Sequence, residues 1–282
     1  MIEHIAFLQP LIEQGLIFSF IITALYITSR VIAFDDLSIE GSFGIGGAVT
    51  AWCLASGFHW SVALATATFG GACTGLVTGL LTTRLKLNNL ISGIVTTTGL
   101  FSVNLKIAGA YTALGAAGTV FSSVPSAHYL VLIPLTLFLI VGIKWLLSTE
   151  VGFLFRALGD NPQMLTNVGK SAPFYKVVVL MLANALTGVG GSLFVQHFGY
   201  FSLWANVGIL IIGLAGLMLA ELFSKEFGGA LVLGSLLYQS IIALTFEFDI
   251  DQSWNKLITA LLIVVLIGIK TMLQRIEKGK SS

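Results

Sequence analysis

Charged residues are scarce in this chain. Of its 282 residues only 10% are Asp, Glu, Lys or Arg, whereas 56% are hydrophobic. Soluble domains carry about a quarter charged residues. Because so few charges cannot cover a surface that faces water, the expected solvent of this protein is lipid. The net charge is only +1, which gives a nucleic-acid partner no electrostatic support.

Residues that build metal and catalytic sites are also few. The two cysteines, Cys53 and Cys73, lie in apolar runs, which indicates packing rather than redox or metal chemistry. The four histidines are scattered, and neither a G-x-S-x-G motif nor a metal-ligand spacing occurs. Gly169-Lys170-Ser171 matches only the end of a phosphate-binding loop, since Met164 stands where the first glycine is needed. The sequence therefore predicts no catalytic residue, no metal ligand and no cofactor on this chain.

Nine apolar segments approach the roughly 20 residues that a helix needs to cross a bilayer. The start of the chain resembles no cleaved signal, because Glu3, His4 and Glu13 stand where a basic region is needed. The second span is short and rich in glycine, which predicts a broken helix. Residues 1–282 are predicted to form one all-α membrane domain. The predicted spans are Leu16–Val31, Phe43–Ser56, Ser61–Leu81, Leu90–Ala108, Tyr129–Leu147, Val177–Phe194, Leu203–Phe223, Gly229–Phe246 and Lys256–Met272.

The basic residues predict how these spans are oriented. If the N-terminus lies outside, nearly all lysines and arginines, among them Arg84 and Arg156, fall on the inner side. Only Lys106 and Lys256 then fall outside. The prediction is a helical bundle with the N-terminus out and the C-terminus in, and with all four histidines on the outer side. Glu221 and Lys225 are predicted to form a solvated pair one helical turn apart.

An acidic segment joins the first two spans. Residues 34–43 contain three carboxylates and lead into a glycine-rich helix, and carboxylates are costly at membrane depth. Two interpretations remain open: a wet cavity lined with unwound backbone, or a solvated turn in which Asp or Ser caps the second helix. Asn104, in the fourth span, is either a hydrogen bond between helices or a pathway residue. The candidate pathway and gate residues are Asp36, Ser38, Glu40, Gly41, Ser42, Phe43 and Asn104.

Glycines recur every four residues in the third span, at Gly71, Gly75 and Gly79. This spacing places them on one helix face, where small residues let helices approach closely. It favours tight packing within the subunit, and an interface between subunits is the alternative.

Two stretches have a specific resemblance to a known family. Residues 36–43, followed by Gly46 and Ala48, are similar to the motif DLTVEGSF, and residues 155–164, followed by Val168-Gly169, are similar to RATGDNPEMA. A weaker match is residues 102–106 against SINLR. On these motifs the chain resembles the permease subunits of bacterial ABC importers, in the tryptophan/tyrosine-type branch related to branched-chain amino-acid permeases. Leu203 departs from the family, which has an acid there, so a different substrate preference is expected.

The resemblance implies partners and a division of labour. It implies a homodimer of permease chains in the bacterial inner membrane, two cytoplasmic ATPase subunits that hold the ATP, and an extracytoplasmic binding protein that delivers a small solute such as an amino acid. The loop at about 150–176 would be the coupling segment, with Phe153 and Phe155 as apolar anchors. Its candidate coupling residues are Phe153, Phe155, Arg156, Ala157, Gly159, Asp160, Asn161 and Met164.

Two other functions remain open from the residues alone. An ion-coupled secondary transporter would need an intramembrane carboxylate or polar relay, and residues 35–40 offer the candidates. A membrane scaffold without transport activity is the third class, which the coupling-like loop makes less favoured. Copurification of a soluble ATPase would distinguish the importer from the secondary transporter.

Overall fold

The structure is a computed structural model that describes residues 2–115, 118–122, 124, 127–224, 226–247, 251 and 254–280. Helices make up most of it. A π-helical turn at Tyr26–Val31 extends α1, and a short 3-10 turn spans Trp204–Asn206. The helices are α1 Ile2–Leu25, α2 Ser38–Ala55, α3 Trp60–Thr83, α4 Asn89–Ala108, α5 Tyr129–Ser148, α6 Glu150–Asp160, α7 Pro162–Asn167, α8 Ala172–Phe198, α9 Ile209–Glu221, α10 Ala230–Glu247 and α11 Asn255–Lys280.

Two three-residue strands complete the fold. They are β1, Tyr111–Ala113, and β2, Tyr200–Ser202, and they pair antiparallel with Thr112 opposite Phe201. The Tyr111 and Tyr200 rings stack with centroids 5.6 Å apart. The pair joins the end of α4 to the end of α8, so both helices finish at the same end of the molecule.

Within the described residues, six helical segments are long and apolar enough to cross a membrane, judged by length and composition. The expectation of a polytopic helical membrane protein is thereby confirmed. The second, eighth and ninth predicted spans correspond to α2, α10 and α11, which do not meet these limits, so the number nine stays a prediction. The six segments are Leu8–Val31, Trp60–Thr83, Asn89–Ala108, Tyr129–Ser148, Ala172–Phe198 and Trp204–Glu221.

The prediction of a broken second span is wrong. The helix α2 is continuous over Ser38–Ala55 and lies buried between α3, α4 and α8. Its glycines serve close contact between helices: a Cβ at Gly46 would lie 2.2 Å from the carbonyl oxygen of Gly188. Backbone approaches backbone here because neither helix carries a side chain at the contact.

The glycines of α3 pack within the chain, as one of the two interpretations predicted. A Cβ at Gly71 would lie 2.2 Å from the carbonyl oxygen of Asn184, and one at Gly75 equally close to that of Leu180. A Cβ at Gly79 would lie 3.0 Å from the Cα of Val177. The contacts run in opposite chain directions, so α3 and α8 are antiparallel and tightly packed along their length.

Arg30 and three of the histidines lie at opposite ends of the molecule. At what we call the basic end, Arg30 forms an ion pair with Glu221 at the end of α9. The predicted partner of Glu221, Lys225, lies outside the described residues. A Cβ at Gly159 of α6 would lie 2.2 Å from the carbonyl oxygen of Val31, so α6 adjoins this end too. The opposite end, which we call the histidine end, carries His59, His128, His197 and the β1–β2 pair.

Candidate functional site

Asp36 is a buried carboxylate at the start of α2. Only 2% of the residue is exposed. Its Oδ1 accepts a hydrogen bond from the backbone N–H of Ser38 at 2.8 Å, and its Oδ2 accepts one from Nδ2 of Asn184 at 2.8 Å. Neither open interpretation of this segment holds entirely. Asp36 lies in irregular backbone before α2 and is buried, so a solvated turn is wrong for this residue. Its carboxylate accepts from the first residue of α2, although Leu37 occupies the N-cap position and makes no side-chain capping bond.

The neighbours of Asp36 form a closed polar network. Oδ1 of Asn184 accepts hydrogen bonds from the hydroxyls of Ser38 and Ser42. Burial raises the pKa of the Asp36 carboxyl, and the hydrogen bonds from Ser38 and Asn184 act in the opposite direction. The network faces α8 and fixes the start of α2, and Asp36, Ser38 and Ser42 line no open space in this conformation. Their assignment to the pathway or gate stays a prediction.

Glu40, Gly41 and Asn104 meet in a different place, on the opposite side of α2. They line a cavity of about 30 Å³, which holds a group the size of one water molecule. Two polar atoms of this region, Oδ1 of Asn104 and Nδ2 of Asn206, are buried and have no hydrogen-bond partner among the described residues. The cavity lining is Glu40, Gly41, Gly44, Thr97, Phe101, Asn104, Leu203, Asn206 and Val207.

Gly44 gives the two amides their room. A Cβ at this position would lie 2.5 Å from Nδ2 of Asn104 and 3.6 Å from Nδ2 of Asn206. One unpaired acceptor and one unpaired donor therefore lie beside the same helix face. Buried polar groups normally have partners, so the pair is suited to hold a small polar group that offers both a donor and an acceptor.

Sequence reasoning found part of this cavity. It selected Asn104 and missed Asn206, although the stretch around Leu203 was noted for its departure from the family. The candidate Phe43 lies in the core, where its ring packs edge-on against Phe194 with centroids 5.4 Å apart. It is fully buried and lines neither this cavity nor the larger groove between α2, α3 and α4.

A larger apolar groove lies between α2, α3 and α4. Its volume is about 650 Å³. The residues facing it are almost all apolar, with threonines and Cys73 as the exceptions. Its lining is Ile45, Val49, Thr66, Phe69, Gly70, Cys73, Thr74, Val77, Leu81, Val95, Thr96, Gly99, Leu100 and Val103.

The predicted coupling segment forms two short helices, α6 and α7. Oγ1 of Thr149 accepts from the N–H of Gly152 at the start of α6. Oδ1 of Asn161 accepts from the N–H of Gln163 at 3.0 Å at the start of α7, where Pro162 takes the first helical position. Each helix thus begins at its own capping residue, and Asn161 marks a fixed corner between them.

One face of this helix pair is anchored in the chain. Phe155 is 1% exposed and packs edge-on against Tyr175 of α8, with ring centroids 6.4 Å apart. Leu158 and Leu165 are buried on the same side. The side chain of Phe155 therefore faces its own chain in this conformation and attaches α6 to α8.

The other face of the helix pair is exposed. Phe153 is 60% exposed, and the guanidinium carbon of Arg156 lies 5.7 Å from the centre of its ring. Asp160, Asn161 and Met164 are also exposed. Ala157 and Gly159 are partly buried, and Gly159 lies against the end of the first span. The exposed side chains project from helices that buried residues hold in place.

A third group of polar side chains escaped the sequence analysis. Glu13, His128 and His197 meet at the histidine end, although the two histidines are 69 positions apart in the chain. No local spacing links residues that come from the middle of α1, the position before α5 and the end of α8. One indication of this cluster was available in the sequence: both histidines were predicted to lie on the outer side of the membrane.

Several apolar helices around buried polar groups, with an exposed helix pair at one end, are features of a polytopic membrane permease. The family described as "Branched-chain amino acid transport system / permease component" matches residues 11–267, so the chain belongs to this family. The chain is 31% identical over 261 residues to a tyrosine transport system permease protein of Clostridioides difficile (strain R20291), which covers 90% of this chain and 88% of that protein. The resemblance drawn from the motifs is thereby confirmed.

A second relative is more distant. The chain is 24% identical over 246 residues to the autoinducer 2 import system permease protein LsrC of Escherichia coli O9:H4 (strain HS), covering 82% of this chain and 70% of that protein. No solved structure gave a significant match. The family and the apolar helices together identify a multi-pass membrane protein of a transport permease family.

Proposed function

We propose that this chain is the pathway-forming subunit of an ATP-driven importer in the bacterial inner membrane. Cytoplasmic ATPase subunits bind the exposed face of α6 and α7, and an extracytoplasmic binding protein delivers an amino-acid-like solute at the opposite end. ATP hydrolysis takes place on the ATPase and not on this chain. The observation that carries the proposal is the helix pair itself: a rigidly anchored element with an exposed polar and apolar face, in a family of permeases.

Mechanical coupling requires that the helix pair move as one body with the bundle. Phe155 and Leu165 bury the inner face against the chain, while Phe153, Arg156 and Met164 remain exposed on the outer face. A partner that grips the outer face therefore shifts α8 and the end of α1 together with α6. Such rigid-body movement of packed helices is a common means of switching between two states.

The orientation with the N-terminus out and the C-terminus in belongs to this proposal. Arg30, Arg84 and Arg156 lie toward the basic end, and the positive-inside rule puts that end in the cytoplasm. Counting α2, α10 and α11 as spans gives nine crossings. The test is His59→Cys in a background without Cys53 and Cys73. A membrane-impermeant maleimide labels this variant from outside, and labelling only after the membrane is opened contradicts the orientation.

The small cavity supports an amino acid as the substrate class. The free donor on Asn206 suits a carboxylate, and the free acceptor on Asn104 and the carboxylate of Glu40 suit an ammonium group. With about 30 Å³ the cavity holds only part of such a molecule. We propose that this cavity receives the charged end of the solute as the pathway widens.

We also propose that a second copy of this chain lies across the apolar groove of α2, α3 and α4.

Copurification tests the central proposal. The tagged chain is extracted from its native cells in mild detergent, and bound proteins are identified by mass spectrometry. Wild type is expected to retain an ATPase that carries a P-loop. Arg156→Glu reverses an exposed charge on α6 and is expected to lose it, whereas Lys106→Glu reverses an exposed charge at the other end and keeps it.

Two outcomes overturn the proposal in different ways. If wild type retains no ATPase under conditions that preserve the folded chain, an ion-coupled transporter becomes the better interpretation. If Arg156→Glu retains as much ATPase as wild type and Lys106→Glu, the coupling role of α6 is wrong even though the importer assignment stands.

A further inference from the structure

Three possible metal ligands converge at the histidine end. Nδ1 of His128 lies 2.9 Å from Nδ1 of His197. Oε2 of Glu13 lies 3.9 Å from the first of these atoms and 3.7 Å from the second. The three atoms come from α1, from the residue before α5 and from the last turn of α8, so each ligand belongs to a different part of the fold.

Glu13 is held so that one oxygen faces the histidines. Its Oε1 accepts hydrogen bonds from the backbone N–H of Tyr129 at 3.1 Å and from Nε2 of Gln9 at 3.0 Å. Oε2 is the oxygen that faces both imidazoles. Hydrogen bonds of this kind orient ligands and raise metal affinity. They also fix the carboxylate of a residue that is only 4% exposed.

The histidine rings are oriented as well. The ring of Phe121 stacks on His128 with centroids 4.4 Å apart and an angle of 23° between the planes. Phe121 itself is buried. The side chain of His128 keeps 18% of its surface exposed, so the cluster has a side that a small ion can reach from the histidine end.

We propose that Glu13, His128 and His197 bind a divalent transition-metal cation, with Zn²⁺ as the ion that fits best. Ligand atoms at about 2.1 Å from a tetrahedral zinc lie roughly 3.4 Å from one another. The three distances here bracket that value, so movements of a few tenths of an ångström bring all three atoms into coordination. Two imidazoles and one carboxylate form a ligand set that zinc accepts, and they leave a fourth position free.

The ion acts as a clamp within the chain and is not the transported solute. Its three ligands lie on helices that already pack together, since α1 contacts both α5 and α8. None of them lines the cavity of Glu40, Asn104 and Asn206 or the apolar groove. Bound metal therefore stabilises the outer ends of α1, α5 and α8 against one another and leaves the proposed pathway open.

Direct metal binding tests the proposal without any partner or transport assay. The purified full-length chain in detergent is stripped with a chelator and titrated with Zn²⁺ by calorimetry, and its thermal unfolding is followed with and without the ion. One Zn²⁺ per chain and a higher Tm in its presence are expected, because an ion that binds only the folded state stabilises it. Co²⁺ in the same site is expected to give the visible absorption of a tetrahedral complex.

Variants locate the site. His197→Ala and Glu13→Gln are expected to lose the zinc-dependent rise in Tm. Gln9→Ala is expected to lower zinc affinity about tenfold or more, because it removes a hydrogen bond that orients Glu13. His59→Ala is the matched control, since His59 lies at the same end, at the start of α3, and contacts Ser61. It is expected to bind zinc as wild type does.

Zn²⁺ binding by the wild-type chain tests the proposal even if a variant fails to fold. A folded wild-type chain that binds no Zn²⁺ at 100 μM, on the order of weak adventitious binding, overturns the proposal. So does a stoichiometric site that survives both His197→Ala and Glu13→Gln. In either case the cluster is a hydrogen-bonded group of two imidazoles and a carboxylate.

Discussion

Asn184 donates a hydrogen bond from Nδ2 to Oδ2 of Asp36 at 2.8 Å, across 148 positions of the chain. Both residues are buried, one in the middle of α8 and the other beside the first turn of α2. The contact therefore fixes the start of α2 against the most central helix. The motif that carries the family resemblance begins at Asp36, and in this conformation its acid contacts Ser38 and Asn184 and lines neither cavity.

Asn184→Ala is expected to destabilise the chain. It removes a donor to a buried carboxylate and an acceptor for Ser42. A hydrogen bond to a charged group contributes about 1.5–3 kcal/mol, so we expect a loss of about 2 kcal/mol in the free energy of unfolding. Denaturant titration in detergent measures it. Asn167→Ala, at an exposed position of α7, is the control and is expected to change little. Equal stability of both variants would refute the structural role.

The contribution of Asp36 to the stability of wild type is expected to fall as the pH rises above the unfolded pKa of about 4. The pKa of Asp36 is raised from 3.8 in the folded chain, so the folded state holds the proton more tightly than the unfolded state. The contribution of the protonated acid is complete below the unfolded pKa and is lost as the pH passes through the folded pKa. Asp36→Asn has no proton to lose, and its Tm relative to wild type is expected to rise over this interval. Parallel Tm curves for the two proteins contradict the prediction.

Gly46→Ala is expected to destabilise the contact between α2 and α8. The new methyl group would lie 2.2 Å from the carbonyl oxygen of Gly188, so the backbones must move apart. Overpacking of this kind costs about 1–3 kcal/mol. Gly142→Ala is the matched control, because a Cβ at that helical position meets nothing within 4 Å. It is expected to be neutral or stabilising by up to about 1 kcal/mol. The two Tm values, measured in the same detergent, decide the outcome.

How far the sequence could predict this fold is clear at the start of α2. The lengths of the apolar segments and the helix-breaking residues between them located most helices. For α2, however, the sequence predicted a start near Phe43. The helix begins at Ser38 because Asp36 accepts the N–H of that residue from a buried position. The acid resembled a loop residue in sequence, and hydrogen bonds from Ser38 and from its distant partner Asn184 offset the cost of burying it.

The candidate sites show the same limit. Glu40, Gly41 and Asn104 were selected from the sequence and do meet in one cavity, whereas Asn206 was not selected. Periodicity identifies which residues share a helix face, but it carries no information on which helices become neighbours. The same reason hid the cluster at Glu13, whose ligands come from three separate elements.

Asn206→Ala and Gly44→Ala are expected to impair transport with little loss of folded protein. The first removes the free donor of the cavity, and the second fills the space with a Cβ that would lie 2.5 Å from Asn104. Losing one hydrogen bond to a charged group lowers binding by about tenfold or more. Uptake of radiolabelled L-tyrosine and of other amino acids is measured in cells that contain the chain and its copurifying ATPase. Ser102→Ala, an exposed neighbour on α4, is the control.

The result also separates two explanations. If uptake falls and the ATPase still copurifies, the cavity belongs to the pathway. Unchanged uptake in Gly44→Ala, with normal amounts of the variant in the membrane, would show that the solute crosses elsewhere.

Phe153 and Phe155 are expected to differ sharply although they are two positions apart on α6. Phe155 is buried against α8, and truncation of a buried Phe to Ala costs about 3–5 kcal/mol. Phe155→Ala is therefore expected to lower the Tm of the isolated chain. Phe153 is mostly exposed and contacts Arg156. Phe153→Ala is therefore expected to change the free energy of unfolding by no more than about 0.5 kcal/mol. Its effect should appear as weaker ATPase retention during copurification. If Phe153→Ala retains the ATPase fully while Phe155→Ala loses it at unchanged stability, the assignment of the two faces is reversed.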